Sequence, residues 1–136
     1  MKTESEIQSE CIDWARSVEC DYPELRWLHA IPNGGKRHPA TASRLKREGV
    51  RRGIPDLFLP TPVYYGVLKT RSIVLPVDCS HGLYIEIKTR KGRLTAEQQQ
   101  FFEDASANGY VCRLARSLSE FKQIVTEYLR CGHEIT

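Results

Sequence analysis

Apolar residues recur along this chain with two periods, and the changes between them predict its elements. Ile7, Cys11, Trp14 and Val18 fall at helical spacing. Thr3 caps that helix, and Glu6 at the third helical position completes a capping box. Leu25 to Ile31 reads as a strand, Pro32-Asn33-Gly34-Gly35 as a turn, and Thr41 to Glu48 as a short basic helix ended by Gly49. A strand from Gly53 to Leu59 follows. Two β-rich pieces, Val63 to Lys69 and Ser72 to Val77, surround a polar turn and predict an inserted hairpin or long loop.

From Leu83 to Lys88 the period is that of a strand. Leu83, Ile85 and Ile87 share one face, while Tyr84, Glu86 and Lys88 share the other. After the polar loop Thr89 to Arg93, a helix starts at Thr95 with Phe101, Phe102 and Ala105 facing inward, and stops near Asn108 and Gly109. A strand from Tyr110 to Ala115 leads to a last helix from Ser117, with Glu120 at its third position and Phe121, Ile124, Val125, Tyr128 and Leu129 as its apolar stripe. The order α-β-α-β-hairpin-β-α-β-α predicts an α/β fold with a mixed central sheet flanked by helices.

Composition narrows the class. A chain of 136 residues suits one domain, 1–136, with a core that needs no disulfide staples. Cys11, Cys20, Cys79, Cys112 and Cys131 are widely spaced and show no paired metal-ligand spacing, so reduced thiols of a cytoplasmic protein are expected, without a zinc site. No apolar run follows the first residues, and no stretch approaches a membrane span, so no membrane partner is expected. The net charge of +3 says little, but its distribution says more. Lys36, Arg37, Arg44, Lys46, Arg47, Arg51 and Arg52 crowd one segment against the single acid Glu48. A phosphate backbone suits that segment, as a solvated helix face also would.

The chemistry lies in charges placed where a buried strand should have none. Asp56 and Glu86 offer two carboxylates to a hard divalent cation, and Lys88 adds an ammonium to steer a water or a phosphate. The bland alternative is an ion pair facing solvent. Among Glu4, Glu6 and Glu10 of the first helix, Glu6 is occupied by its cap and Glu10 lies off the seam. Glu4 is therefore the candidate third carboxylate, although it equally suits the helix dipole. Gln98 has capping-box spacing from Thr95, which alone explains it. Tyr84 reads as packing.

The run Gly49-Val50-Arg51-Arg52-Gly53-Ile54-Pro55-Asp56-Leu57, then Glu86-Ile87-Lys88, then Gly92-Arg93-Leu94-Thr95-Ala96-Glu97-Gln98 resembles the VRR-NUC family of the PD-(D/E)XK nuclease superfamily. Pro32-Asn33-Gly34-Gly35 and the opening Glu4 to Gln8 are similar to that family too. The resemblance covers about Glu4 to Leu129, apart from Thr61 to His81. It implies a restriction-endonuclease-like fold and a bacterial or phage-type nuclease that uses Mg2+ or Mn2+ and no organic cofactor. It also implies Asp56, Glu86 and the main-chain carbonyl of Ile87 as metal ligands, with Glu4 a candidate further one. Lys88 and Gln98 would complete the catalytic set, with Gln98 positioning water or a ligand.

Compact members of that family are associated with cutting branched DNA as homodimers, two centres acting on opposed strands of a four-way (Holliday) junction. No reader of base edges is apparent, so Asn33, Lys36, Arg37, Arg44, Arg47, Arg51, Arg52, Arg90 and Lys91 are expected to hold the DNA backbone. Two other readings compete. One is a monomeric flap or single-strand nuclease in a repair or phage replication complex. The other is a DNA-binding module on a nuclease scaffold, which the intact Asp56, Glu86 and Lys88 argue against.

Overall fold

A computed structural model of the protein describes residues 1–32, 38–69 and 74–133. The first helix, α1 (Glu4–Ser17), begins at Thr3, whose hydroxyl accepts the Glu6 N–H while Glu6 Oε2 accepts the Thr3 N–H at 2.7 Å. Its Ile7, Cys11 and Ala15 are buried. Burial pushes the Cys11 thiol up to about 12, with the Glu10 charge adding to the rise, so this cysteine is an inert core residue. The described cysteines Cys11, Cys20, Cys79 and Cys112 are free.

Of the segment expected as a strand, Leu25 to Ile31, the first three residues belong to a 3-10 helix over Pro23–Trp27 and only the short β1 (His29–Ala30) is a strand. Pro23 at the first position presets the helical φ, and only Leu25 enters the core, while Trp27 stays 62% exposed. The basic helix α2 (Pro39–Arg47) follows, with His38 Nδ1 accepting the Ala40 N–H at 3.1 Å. It buries no residue. The Asn33-Gly34-Gly35 part of the expected turn lies outside the described residues.

Strands β2 (Leu57–Leu59), β5 (Leu83–Ile87) and β6 (Val111–Ala115) join β1 in a four-stranded sheet ordered β1-β2-β5-β6. The first pairings are antiparallel and β5 with β6 is parallel, so the sheet is mixed as expected. The parallel pair needs a crossover, which α3 (Ala96–Ala107) supplies. Between β2 and β5 the chain makes the hairpin β3 (Val63–Lys69) and β4 (Val74–Ser80), a separate antiparallel two-stranded sheet.

One face of the four-stranded sheet is the main core. Leu57, Leu59, Leu83, Ile85, Ile87 and Ala115 meet Ile7 and Cys11 of α1 and the stripe of the last helix, α4 (Leu118–His133). Phe121, Ile124, Val125, Tyr128 and Leu129 are all buried there, so that stripe is used within the chain. The opposite face carries His29, Phe58 and Tyr84 in register. Phe58 stacks on Tyr84 at 4.4 Å between centroids, and Phe101 of α3 meets Tyr84 edge-on at 4.9 Å, so Tyr84 is a packing residue. Among the described residues no helix is long and apolar enough to cross a membrane.

Candidate active site

The same face, one alternation further along each strand, bears the acids. Leu57 pairs with Ile85, so Asp56 just before β2 stands beside Glu86 and Ile87 of β5. Asp56 Oδ2 accepts the Ile87 N–H at 2.8 Å, and its carbonyl accepts the Ile31 N–H at 2.8 Å. The residue is therefore locked between its neighbours. Pro55, fully buried, sets the extended entry, and Gly53 holds φ +91 where a Cβ would stand 3.0 Å from the Glu97 carbonyl carbon and oxygen.

Glu86 is 3% exposed. Its Oε1 accepts from Gln98 Nε2 at 3.2 Å and lies 3.8 Å from Lys88 Nζ, while its Oε2 is buried with no hydrogen-bond partner. Burial raises the Glu86 pKa to about 8, and the Asp56 carboxylate adds to the rise by its charge and by hydrogen-bonding the protonated acid. Lys88 lowers it and Glu4 raises it, without reversing the outcome. An ionised Glu86 thus has a buried oxygen without a hydrogen bond and a second carboxylate for a neighbour. Oxygen donors only, crowded and under-satisfied, fit a hard divalent cation.

Gln98 serves twice. Its Oε1 accepts the Thr95 N–H at 2.9 Å, closing the capping box of α3, while its Nε2 reaches Glu86. The cap expected from the spacing is present, and the amide also reaches a candidate ligand. In α1, Glu6 is held by the cap and Glu10 pairs with Lys2, leaving Glu4 as the carboxylate whose charge bears on Glu86. Glu4 is exposed, and among the described residues no three His, Cys, Asp or Glu side chains gather closely enough to hold a metal. The close set is Asp56 and Glu86, with the Ile87 carbonyl as the adjoining main-chain oxygen.

The expected DNA contacts divide. Arg44 and Arg47 on α2, Arg51 and Arg52 before Gly53, and Arg90 and Lys91 after β5 are exposed. Asn33, Lys36 and Arg37 lie outside the described residues. Sequence reasoning missed Arg116, whose guanidinium Nη1 donates to the carbonyls of Thr89, Arg90 and Gly92. No local pattern marks a partner so distant in the chain.

Family and fold comparisons mark a DNA-processing domain of nuclease type. The chain belongs to the VRR-NUC domain family, whose family model matches residues 2–118. It is similar to a solved VRR_NUC domain protein, with 25% identity, a TM-score of 0.72, and coverage of 97% of this chain and 92% of the other. No curated protein matches it.

Proposed function

We propose that the protein is a divalent-metal-dependent endodeoxyribonuclease with a PD-(D/E)XK core that hydrolyses phosphodiesters in branched DNA. The observation that carries the proposal is the pairing of half-buried Asp56 with buried Glu86, whose Oε2 is unpartnered, beside Lys88. Asp56, Glu86 and the Ile87 carbonyl would hold Mg2+ or Mn2+. When bound, that cation supplies positive charge for the phosphate oxygens and the leaving oxygen. Lys88 orients the attacking water or, when neutral, helps take its proton, or as an ammonium balances the negative charge building on the phosphate oxygens. Gln98 fixes Glu86 Oε1 through its amide, keeping the other oxygen free for the cation. Glu4 contributes negative field from the end of α1.

The DNA backbone is held by the positive side chains of Arg44, Arg47, Arg51, Arg52, Arg90 and Lys91, and Asn33, Lys36 and Arg37, outside the described residues, are further proposed contacts. A helix such as α2, which buries nothing and ends in Arg44, Lys46 and Arg47, supports that reading. One centre per chain calls for a second copy to cut opposed strands, so we assign four-way-junction resolution to a homodimer. The apolar stripe of α4 is already buried within the chain and is not free to make that contact.

Molecular mass in solution and cleavage of four-way junctions, flaps and linear duplex test this reading. A dimer that cuts junctions in paired nicks supports it. A monomer that cuts flaps alone overturns junction resolution and keeps the nuclease.

A further inference from the structure

A residue outside the chemistry described above grips the turn next to it. Arg116 lies between β6 and α4, half-buried, with its main-chain N–H on Glu120 Oε2 at 2.6 Å. Its Nη1 donates to the carbonyls of Thr89 at 2.7 Å, Arg90 at 3.1 Å and Gly92 at 2.6 Å. Three carbonyl dipoles thus converge on one guanidinium nitrogen, and the positive charge is what makes that convergence favourable. The Gly92 N–H closes the same turn onto the Thr89 carbonyl at 3.1 Å.

The inner side of this turn rests on Lys88. A Cβ at Gly92 would lie 3.3 Å from Lys88 Cβ and 3.3 Å from Thr89 Oγ1, tighter than ordinary contact, and 3.4 Å from Lys88 Cδ, at its edge. The bare Gly92 backbone therefore passes close beside the lysine stem. At the end of that stem Lys88 Nζ lies 3.8 Å from Glu86 Oε1, with the side chain 11% exposed. The order of contacts runs from Arg116 to the turn, from the turn to the Lys88 stem, and from the stem to the carboxylate pair.

We propose that Arg116, acting through the turn from Thr89 to Gly92, is a positioning residue for Lys88. The proposal rests on the nuclease reading. Lysine is a poor substitute for Arg116, because its ammonium is a compact point charge on a flexible stem, whereas the guanidinium is a rigid planar fork. Gly92 carries no positive φ, so Gly92→Ala imposes no backbone strain of that kind and acts by displacing Lys88.

The test is single-turnover cleavage by the full chain with Mg2+ and saturating labelled junction DNA, comparing wild type, Arg116→Ala, Arg116→Lys, Gly92→Ala, Lys88→Ala and the Arg116→Ala/Lys88→Ala double variant. Arg116→Ala and Gly92→Ala should each slow cleavage about 10- to 100-fold, as misplacement of a reacting group does, with KM nearly unchanged. Arg116→Lys should not restore the rate. In the Lys88→Ala background, Arg116→Ala should cost less than about twofold more, because the group it positions is gone. An equal loss in both backgrounds overturns the proposal and leaves the nuclease standing. Wild-type cleavage by Lys88→Ala overturns the role of Lys88 and with it this proposal, whereas no cleavage by the wild type itself overturns the nuclease reading. Side-chain NMR relaxation at Lys88 gives a readout independent of cleavage. Its order should fall in Arg116→Ala and its resonance should shift in Gly92→Ala, and no change in either variant overturns the proposal.

Discussion

The Asp56 carboxylate accepts the main-chain N–H of Ile87 at 2.8 Å, so one candidate ligand is also a cross-link between β2 and β5. Removing it does two kinds of damage that separate by substitution. Asp56→Ala leaves a donor at the buried Ile87 unpaired and should cost about 1–3 kcal/mol in urea unfolding. Asp56→Asn keeps an acceptor oxygen and should stay within about 1 kcal/mol of wild type. Both should lose cleavage, and an Asn variant that cuts at the wild-type rate would sink the metal-ligand role.

Glu86 has a folded pKa raised to about 8 from an ordinary 4.5, so between those values the folded state holds a proton that the unfolded state has released. Its contribution to stability is therefore full below about pH 4.5 and is lost as pH rises through about 8. Without metal, wild type should lose stability relative to Glu86→Gln across that window. A cation must expel the same proton, so Mg2+ affinity should rise up to roughly tenfold per pH unit between about 6 and 8, then level off. Calorimetric titrations in buffers of different ionisation enthalpy check this, and a pH-independent affinity contradicts it.

Thr95 and Gln98 share a capping box, yet only Gln98 touches Glu86. Thr95→Ala should cost about 1 kcal/mol of stability as a lost cap, with the cleavage rate kept within a few-fold. Gln98→Ala should cost a similar stability and slow cleavage at least tenfold more than Thr95→Ala. Equal rates for the two variants would reduce Gln98 to a cap.

Gly53 ties the Asp56 strand to the first turn of α3. Its φ of +91, and the backbone of Glu97 3.0 Å from where a methyl group would stand, leave no place for a side chain. Gly53→Ala should cost at least about 1–2 kcal/mol from the backbone conformation alone. A melting temperature unchanged by the substitution would contradict this packing.

Local physics made much of this legible in the sequence. Alternation in Leu83 to Lys88 puts Glu86 and Lys88 on one face, and the sheet carries them there, with Leu83, Ile85 and Ile87 in the core. Thr3 with Glu6, and Thr95 with Gln98, are pairs close in sequence whose geometry follows from spacing. Leu25 to Ile31 misled because a short apolar run satisfies either period, and Pro23 decided it as a 3-10 turn. Arg116 was invisible, since its carbonyl partners lie 24 to 27 residues back and only the β5-α3-β6 crossover brings them near.

The most direct measurement is cleavage of labelled four-way junction, flap and linear duplex DNA by wild type and Lys88→Ala, with Mg2+, Mn2+ or a chelator. The predicted result is metal-dependent cutting of the junction by wild type, abolished by chelator and lowered at least about a hundredfold by Lys88→Ala. Binding of all three DNAs with no cutting by wild type under any metal condition would contradict the nuclease assignment.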